Sequence, residues 1–475
     1  MNGIRTYLII VALHLAGGMS AEAQSRLTLD SCRTLALANN RQARSAHMQL
    51  RKAGYEVNAY RANFLPRIFA QGTYLYSSAD YRYRKQYPLF DTKALADAMN
   101  RTPMPDWEKQ FWGQTFSQAN MDLDIHLQPR HTSLSGIRFE QPVYMGGKIA
   151  AAYRMAKIGR QMAQLNIARS DAEVILKTDQ AYWEYVKVGE LRLAAQKYRE
   201  AVQRVAEDAR HGVETGAVTK NDRMKAQVKL DEAQVLVREA ENGLRLARMS
   251  LCMTVGLNLF ASVEPADTLP DAQPAALPED IPDVSVRAEY ALLHRELELK
   301  KQQVNLARSE FMPQLTLGGG YGYLNGIFVN DTKLFNRASF SALVSLKIPL
   351  TQWIEGDNRV RSARADVSLA EYRMQEAADL LQLEMVKAWN TWDEALLKTS
   401  LARDEYLQTQ ENLRVIRDRY ELGMETVSGL LEAQALWQEA WSRHIEAKAR
   451  LRVAETDYLR TAGRISTLTQ IPENR

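Results

Sequence analysis

This chain is one unit written twice, and that limits what it can fold into. Phe64-Leu65-Pro66 returns as Phe311-Met312-Pro313, and Gly72, Tyr74 and Tyr76 return as Gly319, Tyr321 and Tyr323, all 247 residues later. A second series, Arg210, Glu214, Gly216, Thr219, Ala226, Gln227, Glu232 and Ala233, returns 207 residues later as Arg417, Glu421, Gly423, Thr426, Ala433, Gln434, Glu439 and Ala440. The first copy therefore holds about 40 more residues than the second between its matched blocks. Duplication of this kind suits an assembly with rotational pseudo-symmetry better than an enzyme with one asymmetric pocket.

Several function classes are excluded early. With 46% hydrophobic and 25% charged residues, the chain is neither disordered nor a bundle of membrane helices. Its 61 basic and 57 acidic residues are interleaved, so nucleic acid is not a partner. The seven histidines are scattered with no pair at metal-ligand spacing, and no phosphate-binding G-K-[ST] motif is present. No metal, cofactor or catalytic constellation is expected, and the chain is not read as an enzyme. Gly318-Gly319-Gly320-Tyr321-Gly322 sits inside a strand pattern, where small residues have a structural explanation.

Residues 1–23 read as a signal peptide: Arg5, an apolar run over 7–15, and Ala21-Glu22-Ala23 as the cleavage pattern, so that Gln24 begins the mature chain. No later stretch reaches the roughly 20 apolar residues of a spanning helix, so any membrane crossing must use strands. Cys32 and Cys252 are a disulfide candidate in an oxidising compartment. Two free buried thiols are the alternative, because spacing alone does not establish proximity.

Each copy reads helix, strand, loop, strand, long helix, turn, helix. The first structural repeat covers 24–260 and the second 283–463, with a C-terminal tail at 464–475. Between the repeats, 261–282 carries five prolines and reads as a linker extended along the outside. Strands are expected over 67–76, 134–144, 314–323 and 338–350, each long enough for a tilted membrane strand. In 338–350, Phe340, Ala342, Val344, Leu346 and Ile348 share one face, while Ser341, Ser345 and Lys347 share the other. The loop 77–133, with Trp107, Phe111, Trp112 and Phe116, could fold over a barrel mouth; the second strand pair is joined by only about 14 residues.

Proline-free helical periodicity runs over 147–211 and again over 358–420, rods of roughly 95–100 Å at 1.5 Å per residue. Shorter helices are expected over 29–63 and 219–255, the first as one piece. Two short helices end to end match one long rod, and rods of this kind pack side by side as coiled coils. Four strands cannot close a barrel, and open edges are not tolerated in lipid. Two chains give eight strands, whose interior side chains fill. Three chains give twelve, the smallest cyclic assembly with a water-filled bore. The fold class is therefore an α+β membrane protein: four transmembrane β-strands per chain plus long coiled-coil helices, a homotrimer closing a 12-stranded β-barrel continued by an α-helical tunnel.

At these residues the chain resembles the TolC family of outer-membrane efflux ducts. The resemblance rests on Phe64-Leu65-Pro66, Phe311-Met312-Pro313, Gln141-Pro142-Val143-Tyr144-Met145-Gly146-Gly147-Lys148, and the turns 214–219 and 420–426. It implies an exit duct in the outer membrane of a Gram-negative bacterium, with helices projecting into the periplasm. The implied partners are outer-membrane lipid, a periplasmic adaptor protein and an inner-membrane pump, proton-driven or ATP-driven, in tripartite efflux or type I secretion. A soluble periplasmic coiled-coil scaffold is the rival reading. Gly216, Thr219, Gly423 and Thr426 read as hairpin turns and caps; the resemblance makes them adaptor-contacting tips. It also places Asp222 and Tyr420 on the family's entrance lock and Glu432 on a constriction carboxylate. Gly429 stands where a second constriction carboxylate is expected and Glu425 where an arginine is, so the gate is differently wired. At the second strand exit, 349–357 lacks the paired glycines.

Overall fold

The structure is a computed structural model that describes residues 25–79, 81–83, 87–88, 94, 97–98, 101, 103–117, 120–121, 125–128, 131–270, 283–329 and 332–465. The expected signal peptide (1–23), the linker beyond 270, the tail from 466 and the side chains of Trp112 and Phe116 lie outside the described residues. The chain divides into two compact units: Met1–Lys52, Gln161–Glu296 and Glu371–Arg475 form one, and Ala53–Arg160 with Leu297–Ala370 the other.

The smaller unit is built on a sheet. Strand β2 (Arg67–Tyr76) pairs antiparallel with β7 (His131–Met145), β7 with β9 (Gln314–Val329), and β9 with β10 (Thr332–Lys347). Strands β9 and β10 run further than expected, approaching within two residues of each other, so the anticipated 14-residue connection is mostly strand. Short strands β3 (Tyr81–Tyr83) and β6 (Ile125–Gln128) extend the sheet from β9, and β4 (Tyr87–Pro88) pairs with β5 (Asn120–Met121).

The cross-strand register sorts side chains onto two faces. Ala70, Ile137, Tyr321 and Phe340 form one row and Ile68, Phe139, Gly319 and Ala342 the next. Ile68, Ile137, Phe139, Tyr321, Phe340, Val344 and Leu346 are all exposed there. The alternate rows carry Phe69, Arg138, Gly320, Ser341 and Gln71, Gly136, Gly322, Ser339. One apolar face open to the surroundings and one polar, small-residue face is the pattern of a strand between lipid and water.

All four strands meet helices at the same end. Helix α2 (Arg41–Ala62) leads into β2, α4 (Lys148–Glu214) leaves β7, α6 (Ala288–Ser309) leads into β9, and α7 (Trp353–Glu421) leaves β10. At the first exit Gly146 and Gly147 have φ of 63° and 89°, and a Cβ on Gly146 would meet the Ser309 carbonyl. The second exit solves the junction differently. Gly356, inside α7, leaves room for the Phe311 ring, whereas Phe64, the counterpart of Phe311, packs edge-on against Tyr153. The 67-residue α4 and 69-residue α7 match the two long rods that the sequence predicts, and α2 and α6 are 22 residues each.

The larger unit is helical. It adds α1 (Leu29–Asn39), α5 (Lys220–Val255) and α8 (Val427–Thr461). The first helix is not one piece as expected. Asn40 turns to ψ 136°, its side chain donates to the Thr254 carbonyl and accepts from the Gln42 amide, and α2 starts afresh at Arg41. Nor are residues 261–270 a loose outside strap. Strand β8 (Val263–Pro265) pairs parallel with β1 (Ser25–Leu27), Val263 and Leu269 are buried, and Asp267 accepts from the Tyr182 hydroxyl and the Leu29 amide. These segments close over a core of Cys32, Val174, Tyr182, Trp183, Leu251 and Ile445.

The disulfide expectation is corrected here: Cys32 and Cys252 are both buried free thiols. The Cys252 Sγ is aimed at the Ala261 carbonyl, 3.8 Å away, and Cys32 is enclosed in the apolar core. Burial, then the charges of Asp267 and Asp179, push the Cys32 thiol up to about 12.

Two charge networks, the first of them buried, brace this unit at related positions of the repeats. Arg33, which follows the Thr28 cap, forms a fork with Asp179 at 2.8 and 2.5 Å, and Thr456 donates to the same carboxylate at 2.6 Å. Arg287, which follows the Asp283 cap, donates to Glu384, whose other oxygen accepts from Arg460, both at 2.8 Å. Each network ties a repeat's first helix to its long helix, and Thr456 or Arg460 of α8 completes it.

Candidate functional site

The larger unit carries the two turns singled out in the sequence. Helix α4 ends at Glu214 and Gly216 takes φ 76°, a left-handed conformation that glycine adopts without strain. Thr219 then caps α5: its Oγ1 accepts from the Asp222 amide at 3.1 Å. The second turn repeats the device. Helix α7 ends at Glu421, Gly423 has φ 71°, and Thr426 Oγ1 accepts from the Gly429 amide at 3.0 Å. Lys225 donates to the Ser428 hydroxyl at 3.2 Å, which joins the two turns side by side. Beneath them Val202, Val205, Ala209, Ala226, Val427 and Leu430 make a closed apolar layer, with Tyr420 packed partly against it.

The structure does not bring Asp222 and Tyr420 together within this protomer. Asp222 accepts from the Thr219 hydroxyl at 2.7 Å and faces Lys225 at 3.7 Å, so its carboxylate is engaged in the cap. Tyr420 lies closer in charge to Asp208 on α4; partial burial first, and then that carboxylate, raise its phenol above the ordinary tyrosine value. The sequence reading did not single out Asp208, since nothing in the local pattern links it to a residue in the other repeat. Glu432 is exposed on α8, one position beyond the buried Leu431 and before the buried Ala433.

Gly429 and Glu425, two separate departures in the sequence, are one feature in the structure. The Glu425 side chain folds back over the start of α8, where it accepts from the Thr426 amide at 3.0 Å. A Cβ at position 429 would collide with its Oε1. The acidic side chain therefore takes the space that a side chain at 429 would need. Leu422 and Met424 stand exposed at the apex of the second turn.

Among the described residues no helix is long and apolar enough to cross a membrane, and no group of three His, Cys, Asp or Glu is placed to hold a metal ion. What the arrangement offers is a pair of capped turns with charged and phenolic groups at their rim.

Comparison with known proteins supplies the context for that geometry. The family described as outer membrane efflux protein matches residues 33–256 and 292–463. Protein CyaE of Bordetella pertussis is 26% identical over 332 residues, covering 66% of this chain and 68% of that protein. Outer membrane protein TolC of Vibrio cholerae is 24% identical over 341 residues, covering 70% and 75%. Among solved structures, the CmeC outer membrane channel of Campylobacter jejuni superposes with a TM-score of 0.70 at 17% identity, over 92% of this chain and 86% of that one.

Proposed function

The chain belongs to the outer membrane efflux protein family, and from that premise we propose how it serves as an outer-membrane exit duct. Three copies close a 12-stranded barrel, with β10 of one protomer beside β2 of the next. The observation that carries this is the set of four long antiparallel strands with one exposed apolar face, whose outer members β2 and β10 have no further strand partner among the described residues. Such edges are not stable in lipid, and pairing between protomers removes them. The long helices of the three chains continue the barrel as a periplasmic tunnel.

At the far end of that tunnel the capped turns form the entrance. Gly216, Thr219, Gly423 and Thr426 set the shape of two hairpin tips per chain, six per trimer. A periplasmic adaptor, coupled to an inner-membrane pump in tripartite efflux or type I secretion, docks on them. The exposed Leu422 and Met424 support a docking role, since apolar side chains at an apex are otherwise a liability. The protein has no catalytic step of its own; transport is powered by the pump.

Asp222, Tyr420 and Glu432 stand at this entrance as its gate, repeated three times about the axis. Rings of carboxylates favour cations in the constriction and resist close approach of the subunits. With Gly429 in place of a carboxylate and Glu425 drawn into the cap, Glu432 supplies the acidic ring. Single-channel recording in planar bilayers tests this reading. The purified protein should form discrete conducting pores, and Tyr420→Phe combined with Asp222→Ala should raise the conductance. Pores whose conductance is unchanged in that variant remove the gate assignment; no pores at all remove the duct.

A further inference from the structure

Part of the insertion 77–133 is described, and its helix does not stay at the rim of the sheet. Its helix α3 (Asp106–Ser117) lies against the polar face at mid-height, beside Arg138, the central residue of β7. The Arg138 guanidinium is sandwiched between the Trp107 ring of α3 and the Phe69 ring of β2, 5.4 Å from the latter's centroid. Glu108 of α3 stands 3.9 Å from Arg138 and accepts from Gln71 of β2 at 2.9 Å, while Gln71 accepts from Arg138 at 3.2 Å. Arg138 and Glu108 are 12% and 5% exposed at their side chains. Gly320 and Gly322 hold the same rows on β9, so no side chain there keeps the helix off the wall. A cavity of about 70 Å³ is what remains between them.

We propose that α3 is a luminal plug: three copies, latched by Trp107 and Glu108 to Arg138 and Gln71, narrow the barrel at mid-bilayer depth and set the size of cargo that leaves. The inference rests on the trimeric duct reading, because only there does the polar face become a lumen. The dimensions leave no spare room, because the clear bore is narrower than the backbone ring. Twelve strands about 4.8 Å apart and tilted by about 40° make a barrel about 24 Å across at the backbone. Three helices of about 10–12 Å diameter packed around an axis need a circle of about 22–26 Å. Wall positions without side chains are therefore required for the helices to fit at all. The latch is charged and shielded, so it holds strongly when intact, and loss of either partner leaves the other unpaired.

Accessibility from outside tests the plug. Ser341, on the inner face of β10 at the level of Arg138, lines the cavity under α3. The two native cysteines are buried, so a Ser341→Cys chain in intact cells carries one reportable thiol. A membrane-impermeant maleimide should label it slowly. Adding Trp107→Ala and Glu108→Ala should speed labelling by about tenfold or more, since the rate follows the open population. The same pair should raise single-channel conductance in a Tyr420→Phe, Asp222→Ala background, where the entrance no longer limits current. Equal labelling rates and equal conductance in trimers that do form pores overturn the plug alone. Absence of pores in every variant overturns the duct beneath it.

Discussion

Replacing Asp179 with alanine strands the Arg33 guanidinium in the core of the helical unit. The Arg33 side chain is 9% exposed and that of Asp179 not at all, and their fork is the buried contact that neutralises the arginine. The second contact of Arg33, Asp30, is 82% exposed at its side chain and screened by water. Burial alone would depress the Arg33 pKa, yet hydrogen bonding and charge from Asp179 hold it above the ordinary arginine value. Breaking a buried pair by removing one partner costs about 3–5 kcal/mol. Spread over an unfolding entropy of about 2.1 cal/mol/K per residue for a chain of this length, this lowers Tm by about 3–5 °C. Arg33→Met with Asp179→Ala removes both charges together and should recover most of the loss. The assay is thermal unfolding of the detergent-solubilised protein by circular dichroism for the four members of the cycle. An Asp179→Ala protein that melts with the wild type, or a double variant that falls by the sum of the singles, would refute the reasoning.

Two further expectations follow from the same unit. Glu384 is held below the ordinary glutamate value of 4.5: burial pushes it up, but the Arg460 and Arg287 hydrogen bonds outweigh burial. A depressed carboxylate contributes stability above its ordinary pKa and loses it as pH falls through the lowered value. Glu384→Gln should therefore destabilise at pH 7, with the gap closing below about pH 4.5 in melts across that range; a gap independent of pH argues against the network. For the cysteines, a burial-raised Cys32 and a buried Cys252 should resist iodoacetamide in the native state at pH 8, and both should react after denaturation without reductant. A linked peptide in a non-reducing digest would restore the disulfide.

The parts of this molecule that are local in sequence were legible there. The repeat offsets, the period-two strands and the glycine and threonine of each turn specify their own geometry. Arg67 to Tyr76 forms the strand as expected, and Thr219 and Thr426 both cap as expected. What escaped depends on residues far apart. Arg33 and Asp179 are separated by 146 positions, and the break at Asn40 is fixed by a carbonyl 214 positions away. The sequence did hold one usable sign: Arg33 and Arg287 each follow a capping residue at the start of a repeat. The insertion helix gave no such sign. Trp107 read as part of a loop that could fold over the barrel mouth, because nothing near it in sequence points to its partner, Arg138. The resemblance puts Asp222 in a lock, and within this protomer its hydrogen bonds go to its own helix cap. Glu425 and Gly429 looked like unrelated substitutions until their shared volume was visible.

The stoichiometry of the detergent-solubilised particle tests the central claim most directly. Each chain supplies four membrane-length strands whose outer members have no further strand partner among the described residues, so native mass spectrometry should find three chains per particle, the smallest number that leaves a bore. A particle of two chains, with eight strands and a filled interior, or a stable single chain, would contradict the account.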